Sequence, residues 1–439
     1  MQPTKRPRSE DAWTVGSESP ETLKAIADSV DRHDEQLWKI GQLIHSNPEL
    51  GYAEFKAHDN ITALLESLGY AVTRHAYGLE TSFMAEFGSG GRVVAFNAEY
   101  DALPEMGHAC GHNLIAMMSI GAFVALAEAL KARPGVPGRV RLVGTPAEEG
   151  GGGKARLVAA GAYADVDACL MAHPGPASSC GPGWDGHSYM PTLANHKFTV
   201  HYTGKPAHAA VSPWQGVNAL DAVVLAYTGI SALRQQIRPE QRIHGVITKG
   251  GTRPNVITAD AALDYYIRSP TLEGADELLG RAKKCFEGAA VQTGCTVDFE
   301  IRNTCADVRP NKPICTLYAD AMTKIGSKVG CDLNASPVSG STDQGNVSYE
   351  CPAFHAIVGI PAAPGSFNHT PGFTAFAAAR EAHDKCIPVA KGMAIAGWNI
   401  LADDAIAARV KEDFEEDKKS RGSLPNAVDM PHGAGCCHE

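Results

Sequence analysis

Apolar residues recur at two different spacings along the chain, and the changes between them predict the order of helices and strands. Over residues 21–68 they recur every three to four positions, as at Leu37, Ile40 and Ile44, which is typical of amphipathic helices. Shorter runs rich in Val, Ala and Phe then predict strands at 82–87, 92–97, 139–144 and 168–172, with helices over 114–132 and 154–160. This alternation favours an α/β sheet with helices on both faces.

Near Pro191 the pattern changes. The next elements follow in the order β-α-β-β-α-β, with strands at 196–202, 243–248, 262–268 and 295–302 and helices over 218–236 and 273–293. Polar and apolar residues alternate in the first of these strands, which predicts that one of its faces is exposed. That order is the one found in ferredoxin-like domains. The α/β pattern resumes with a helix over 313–326, a strand at 354–358 and a last helix over 373–403.

The two patterns predict one domain inserted into another. We expect a catalytic α/β domain built from residues 21–192 and 309–415, interrupted by an α+β domain over 193–308. Residues 1–20 and 416–439 are polar and are predicted to be disordered or flexible tails. The terminal group Cys436, Cys437 and His438 fits either a stray metal site or incidental thiols on a mobile tail, and we favour the second interpretation.

The composition and charge of the chain limit the kinds of ligand and the cellular location to be expected. The 439 residues carry 39 Lys and Arg against 49 Asp and Glu, a formal charge of -10, which argues against nucleic acid as a ligand. The sequence has neither a run of about 18 apolar residues, which would predict a membrane span, nor a signal-peptide pattern. The 12 cysteines form no CxxC pair, so we expect mostly reduced thiols and a cytoplasmic location.

Metal-ligand residues cluster at one predicted strand end. Asp101 follows a strand, and Cys110 and His112 follow it, separated by a single glycine just before a helix. The glycine permits a tight turn, so that a thiolate and an imidazole can face one ion. An isolated pair of this kind is also common in protein cores, and the interpretation depends on further ligands elsewhere.

Other strand ends supply such ligands. Glu148 and Glu149 stand between a strand and a four-glycine run, His173 ends another apolar strand, and His369 lies in a polar loop after the strand at 354–358. Each histidine taken singly is better explained as a core or loop residue. Together with Cys110 and His112, however, these residues offer more ligands than one zinc ion needs.

Two metal ions are therefore expected, held by Cys110, His112, Glu149, His173 and His369. Zinc is favoured, and manganese or cobalt would accept the same ligands. The second carboxylate, Glu148, is left as general base, and Asp101 would orient a ligand imidazole. Asp343 fits equally well as a support of this site and as a packed loop acid.

Seven motifs in one order resemble those of a known family. They are EYDALPEMGHACGHN (99–113), TPAEEGGGGK (145–154), MAHP (171–174), GKPAHAA (204–210), RPNVI (253–257), GSTDQGNVS (340–348) and SFNHTPGF (366–373). The chain resembles the co-catalytic metallopeptidases that include aminoacylases. Within them it is most similar to the amidohydrolase branch of aminobenzoyl-glutamate hydrolase and β-alanyl-lysine dipeptidase.

The resemblance implies a two-metal amidohydrolase whose inserted domain acts as a lid and as the dimer contact. By the same resemblance, Cys110 would be the bridging or shared ligand. His208 would stabilise the tetrahedral oxyanion, commonly across the dimer interface, and Asn255 and Arg268 would hold the substrate carboxylate. Nothing in the spacing of His208 itself requires a function.

We therefore predict a metal-dependent amidohydrolase that cleaves an N-acyl amino acid or a dipeptide. The same groups would also serve an amide-forming enzyme working in the opposite direction, because metal and base act in both directions. A metal-binding regulator without catalysis is disfavoured, since neither the base nor any ligand is missing.

Overall fold

The computed structural model describes residues 20–421 and Leu424. In this part of the chain the helices are α1 (Pro20–Arg32), α2 (Asp34–His45), α3 (Phe55–Ser67), α4 (His112–Ala132), α5 (Gly153–Ala159), α6 (Ala219–Leu233), α7 (Leu272–Thr293), α8 (Lys312–Lys324), α9 (Gln344–Glu350), α10 (Pro371–Ala377), α11 (Arg380–Ala402) and α12 (Asp404–Lys418). The strands are β1 (Val72–Arg74), β2 (Phe83–Ser89), β3 (Arg92–Ala98), β4 (Gly138–Gly144), β5 (Ala168–Pro176), β6 (Gly186–His187), β7 (Ala194–Thr203), β8 (Arg242–Lys249), β9 (Asp260–Ser269), β10 (Thr296–Cys305), β11 (Val329–Gly330) and β12 (Ala353–Ile360).

Eight strands form one large sheet in the order β1-β2-β4-β3-β5-β12-β6-β11. Its centre, β4-β3-β5-β12, is parallel, while β1 and β2 pair antiparallel at one side. Parallel pairing at the centre follows from the helices that connect successive strands and cover the faces. The predicted α/β class is confirmed.

Helix α4 lies in the main core. It is apolar nearly all round, and it packs against α11, α1, α2 and the large sheet. By length and composition α4 could cross a membrane, but 89% of its most apolar window is buried inside the fold. Such burial is typical of a core helix, so its apolar character is explained by packing.

Four strands form a second, small sheet in the order β10-β7-β9-β8, with α6 and α7 packed on one face. We call this unit, residues 194–305, the small-sheet unit. Its elements follow one another as β-α-β-β-α-β, as the sequence predicts, and its strands are antiparallel. The strand β7 is largely buried and not half exposed as expected, because α6 and α7 cover one face and side chains of the neighbouring strands shield the other, as Asp264 does for Thr199.

The chain leaves the large sheet after β6 and returns to it with β11 and β12. The small-sheet unit is thus formed by a continuous stretch between two halves of the large-sheet part. That this unit acts as a lid or dimerisation domain, with boundaries at 193 and 308, stays a prediction.

The C-terminal segment differs from the prediction of one helix over 373–403. The chain forms two helices there, α10 and α11, because Ala379 adopts an extended conformation between them. The side chain of Asp403 then accepts hydrogen bonds from the backbone N–H groups of Ala405 and Ile406 and so begins α12.

Helix α12 ends at Lys418, past the start of the tail that was predicted at residue 416. Asp417 accepts a hydrogen bond from Nε of Arg309 at 2.7 Å, and this ion pair fixes the last turn against the large-sheet part. The prediction of a tail over 416–418 is therefore wrong. Residues 1–19, and the group of Cys436, Cys437 and His438, lie outside the described residues.

Candidate metal and catalytic site

Four neighbouring strands of the large sheet end at one place, and the predicted site residues follow from them. Because β4, β3, β5 and β12 are parallel, their carboxyl ends meet at one edge. Asp101 follows β3, Glu148 and Glu149 follow β4, His173 lies in β5, and His369 lies in the loop after β12. Residues far apart in the sequence are thereby brought together.

Cys110 and His112 face the same edge through the turn that begins α4. Gly111 has a φ of +83°, which favours glycine, and a Cβ atom there would lie 2.6 Å from the side chain of Pro174. Both the backbone conformation and the neighbouring side chain therefore require a glycine. The turn places the thiol and the imidazole side by side, as the sequence predicts.

Two groups of ligand atoms share the thiol of Cys110. One group consists of Cys110, His112 and His173, and the other of Cys110, Glu149 and His369. Within each group the ligand atoms all lie within 4.8 Å of one another. The Cys110 sulfur is 3.3 Å from Nε2 of His173, and Nε2 of His369 is 3.3 Å from a Glu149 carboxylate oxygen. All five predicted ligands are thus brought together, in two groups whose geometry suits an ion each.

Asp101 lies behind this cluster and is fully buried. One of its carboxylate oxygens is 3.0 Å from Nδ1 of His112, and the other accepts a hydrogen bond from the backbone N–H of Glu149 at 2.9 Å. Holding Nδ1 in this way leaves Nε2 of His112 facing the cluster. This geometry matches the predicted task of Asp101, to orient an imidazole.

The donor set fits divalent cations of the zinc type. Nε2 of His112 is buried, and no hydrogen bond from the described residues reaches it. Burial lowers the pKa of His173 to about 4, so this ring is neutral and can donate a lone pair. Burial would raise the pKa of Glu149, but the neighbouring rings of His369 and His112 lower it to about 2, so it is a carboxylate. Thiol, imidazole and carboxylate groups are the ligands that zinc accepts.

Glu148 stands next to the ligands, with a carboxylate oxygen 3.9 Å from Nε2 of His112. Burial raises its pKa well above the usual value, and the charges of Glu99 and Glu149 raise it further. A carboxyl group with a raised pKa can take a proton from water and pass it on near neutral pH. Its position agrees with the predicted general base.

Sequence reasoning missed a buried cation behind Glu148. Lys154 is fully buried at the start of α5, and its Nζ atom donates to Glu99 at 2.5 Å and to Asp343 at 2.6 Å. The other oxygen of Glu99 is 3.3 Å from Nε2 of His112. Asp343 is therefore part of the buried surroundings of the site. The signal in the sequence is an acid, Glu99, at the end of an apolar strand.

Sequence reasoning also missed Glu54, which is fully buried at the start of α3. Its carboxyl group accepts hydrogen bonds from the backbone N–H of Ala147 at 2.8 Å and from the Thr81 hydroxyl at 2.7 Å. Ala147 has a φ of +58°, unusual for a residue with a side chain. Glu54 thus helps to hold the strained turn that precedes Glu148.

The predicted oxyanion and substrate residues lie elsewhere, in the small-sheet unit. His208 is exposed, and its Nδ1 accepts hydrogen bonds from the backbone of Ala210 and Val211. Asn255 is exposed in a loop next to it, and Arg268 is half-buried on β9 and donates to Ser341 at 3.0 Å. None of the three belongs to the ligand groups found among the described residues.

Comparison with known proteins gives one consistent result. A model of peptidase family M20/M25/M40 matches residues 95–387. Xaa-Arg dipeptidase of Mus musculus is 40% identical over 406 residues, which cover 89% of this chain and 92% of that protein. One of the subunits of p-aminobenzoyl-glutamate hydrolase from Escherichia coli K12 is 34% identical over 325 residues, covering 70% and 66%. The crystal structure of a dinuclear metal-binding M20 peptidase of Bacillus subtilis shares the fold, with a TM-score of 0.62 at 19% identity and coverage of 85% and 99%.

Proposed function

Because the chain belongs to peptidase family M20/M25/M40 and is thus a metal-dependent amidohydrolase, we propose that it hydrolyses dipeptides or N-acyl amino acids with this site. The resemblance predicted from the motifs is confirmed. The name of the mouse relative makes dipeptides that end in arginine the first substrates to test. No observation favours the amide-forming direction.

One observation carries the proposal: two ligand groups share Cys110, and a carboxyl group that belongs to neither of them stands beside them. Cys110, His112 and His173 would hold one cation, and Cys110, Glu149 and His369 the other. Two such cations would polarise the carbonyl of the scissile amide and lower the pKa of a nearby water molecule. Zinc is the ion we propose, with manganese and cobalt as alternatives.

The residues of the chain have separate tasks in this reaction. Glu148 would take the proton of the attacking water and deliver it to the leaving amine. Asp101 would keep the His112 ring in place through Nδ1. Arg268 and Asn255 would bind the substrate carboxylate, and His208 would donate to the oxyanion that forms.

His208 lies apart from the ligand groups, and we propose that the partner of a homodimer supplies it. The small-sheet unit offers a surface for that contact. Its edge strand β8 exposes Val246 and Ile247 by 59% and 45%, and α6 exposes Val224 by 50%. An edge strand with apolar side chains is suited to pairing with a second copy.

A cytoplasmic location is part of the proposal. It is supported by the ten described cysteines, all of which are free thiols. Cys110 would need a reducing environment to stay a ligand.

The test is hydrolysis by the metal-loaded protein of Xaa-Arg dipeptides, β-alanyl dipeptides and N-acyl amino acids, measured by the release of free amine. Glu148→Gln should keep both metal ions and lose about 10²–10⁴-fold in kcat. The exposed Glu287→Gln on α7 serves as the control and should keep full activity. Hydrolysis by Glu148→Gln at the wild-type rate would refute the assignment of the base.

A further inference from the structure

Three carboxyl groups lie together behind the ligand cluster, and we call Glu99, Glu148 and Asp343 the carboxyl cluster. Each of them offers an oxygen atom within 4.8 Å of the other two. Glu99 and Asp343 are fully buried, and the side chain of Glu148 is only 12% exposed. Like charges held this close in a buried site repel one another strongly unless a cation lies among them.

Lys154 is the cation at this place. Its ammonium group bonds to Glu99 and to Asp343, and its backbone N–H donates to the second oxygen of Asp343 at 2.9 Å. Asp343 therefore binds both the ammonium group and the backbone N–H of Lys154. The residue enters the site from the start of α5, where Gly152, with a φ of +64°, sets the direction of the chain.

The same contacts reach the ligands. Glu99 uses one oxygen for Lys154 and turns the other toward Nε2 of His112, at 3.3 Å, where that oxygen has no hydrogen-bond partner among the described residues. Glu148 is the remaining member of the carboxyl cluster. Any movement of Lys154 would thus release two carboxylates that border the base and a ligand.

We propose that Lys154 is a positioning residue for catalysis: by joining Glu99 to Asp343 it fixes Glu148 opposite the metal ligands. The inference rests on the proposed function, since it gives a task to the base of that reaction. Lys154 touches neither substrate nor metal in this proposal. It acts through Glu99 and Asp343.

Removing the charge of Lys154 should lower kcat while leaving zinc binding and KM nearly unchanged, a combination that a general loss of structure would not produce. Lys154→Met has a similar shape but no charge, and removing a positive charge near the cation sites does not weaken their attraction for cations. The variant should bind two zinc ions per chain at least as tightly as wild type, and its KM should stay within about threefold. Its kcat should fall about 10²-fold, within the range of general-base effects.

Arg141→Met is the matched control. Arg141 is also a buried cation held by two acids, Glu86 and Asp165, but it lies on β4 away from the carboxyl cluster. This variant should lose stability and keep its kcat per folded molecule. Zinc affinity would be measured by chelator competition, and kcat and KM with the best dipeptide of the wild-type protein.

Lys154→Met leaves two acids without their cation and could fail to fold. The double variant Lys154→Met with Asp343→Asn removes one charge of each sign and should fold with the same loss of kcat. A kcat within about threefold of wild type in either folded variant would overturn the proposal, as would zinc loss in proportion to activity. A wild-type chain that binds zinc and hydrolyses no amide would instead overturn the proposed function.

Discussion

The carboxylate of Asp101 joins the ring of His112 to the backbone of Glu149, at 3.0 Å and 2.9 Å. One buried side chain thus sets the position of two proposed ligands that come from different strand ends. A supporting contact of this kind typically contributes about 10–100-fold to metal affinity.

Asp101→Asn should weaken zinc binding by about 10–100-fold, because an amide can satisfy only one of these two donors. Competition with a chelator measures the change. Asp167→Asn is the control, since Asp167 also accepts a backbone hydrogen bond, from Val93, but far from the site. Equal zinc affinity in Asp101→Asn and wild type would contradict the assigned task.

The contribution of Glu54 to the stability of the metal-free protein should fall as the pH rises from about 4.5 to about 8. Burial, with a smaller effect of Asp101, raises the pKa of Glu54 from 4.5 to about 8. In that window the unfolded chain has released the Glu54 proton and the folded chain keeps it, so folding becomes less favourable at higher pH. Each pKa unit corresponds to about 1.4 kcal/mol of unfolding free energy.

Glu54→Gln should remove this contribution and so make the slope of unfolding free energy against pH less negative than in wild type, since glutamine carries no titrating proton and keeps an oxygen for the N–H of Ala147. Urea unfolding of both proteins across the pH range measures the slopes. Identical slopes would show that Glu54 is not the group responsible.

Gly111→Ala should abolish tight metal binding. The alanine would need a φ of +83°, which costs about 1–2 kcal/mol, and its Cβ atom would meet Pro174 at 2.6 Å. Gly183→Ala separates the cost of the backbone conformation from the cost of the steric clash. Gly183 has a similar φ of +81°, but nothing lies within 4 Å of the added Cβ atom. Zinc content and thermal unfolding should change far more for the first variant than for the second.

Ile247→Lys should convert the proposed dimer into a monomer. A charged residue on the edge strand β8 opposes pairing with a second copy. If His208 comes from the partner, amidase activity should be lost while both metal ions remain. Val291→Lys, on a residue of α7 that is 84% exposed, is the control. Sedimentation at the assay concentration distinguishes monomer from dimer. A wild-type protein that is monomeric and fully active would refute the proposed dimer.

The meeting of the five candidate ligands at one edge could be predicted from the sequence because strands alternating with helices fix a parallel sheet, whose carboxyl ends converge. Lys154 could not be assigned a role in the same way. Its partners, Glu99 and Asp343, come from distant parts of the chain, and only the folded structure shows that all three are buried.

Helix α12 was missed for a different reason. Its sequence is rich in charge, so no helix was predicted there and the residues from 416 onward were assigned to a tail, although Ile406, Val410 and Phe414 recur every four residues and form its buried face. The periodic signal was present, but the polar residues between these positions obscured it.

Because the chain is synthesised from its N-terminus, one edge of the large sheet stays unpaired until late in translation. β5 and β12 are neighbours in the large sheet, with Cys169 opposite Ala353, yet the ribosome makes the whole small-sheet unit between them. The four strands of that unit are consecutive and can pair at once, whereas the open side of β5 must wait for β12. His369 emerges later still, so the proposed ion site of Cys110, Glu149 and His369 is incomplete while the sheet is half made. The period of greatest risk of aggregation therefore falls before the chain is complete, at an edge that the finished protein no longer has.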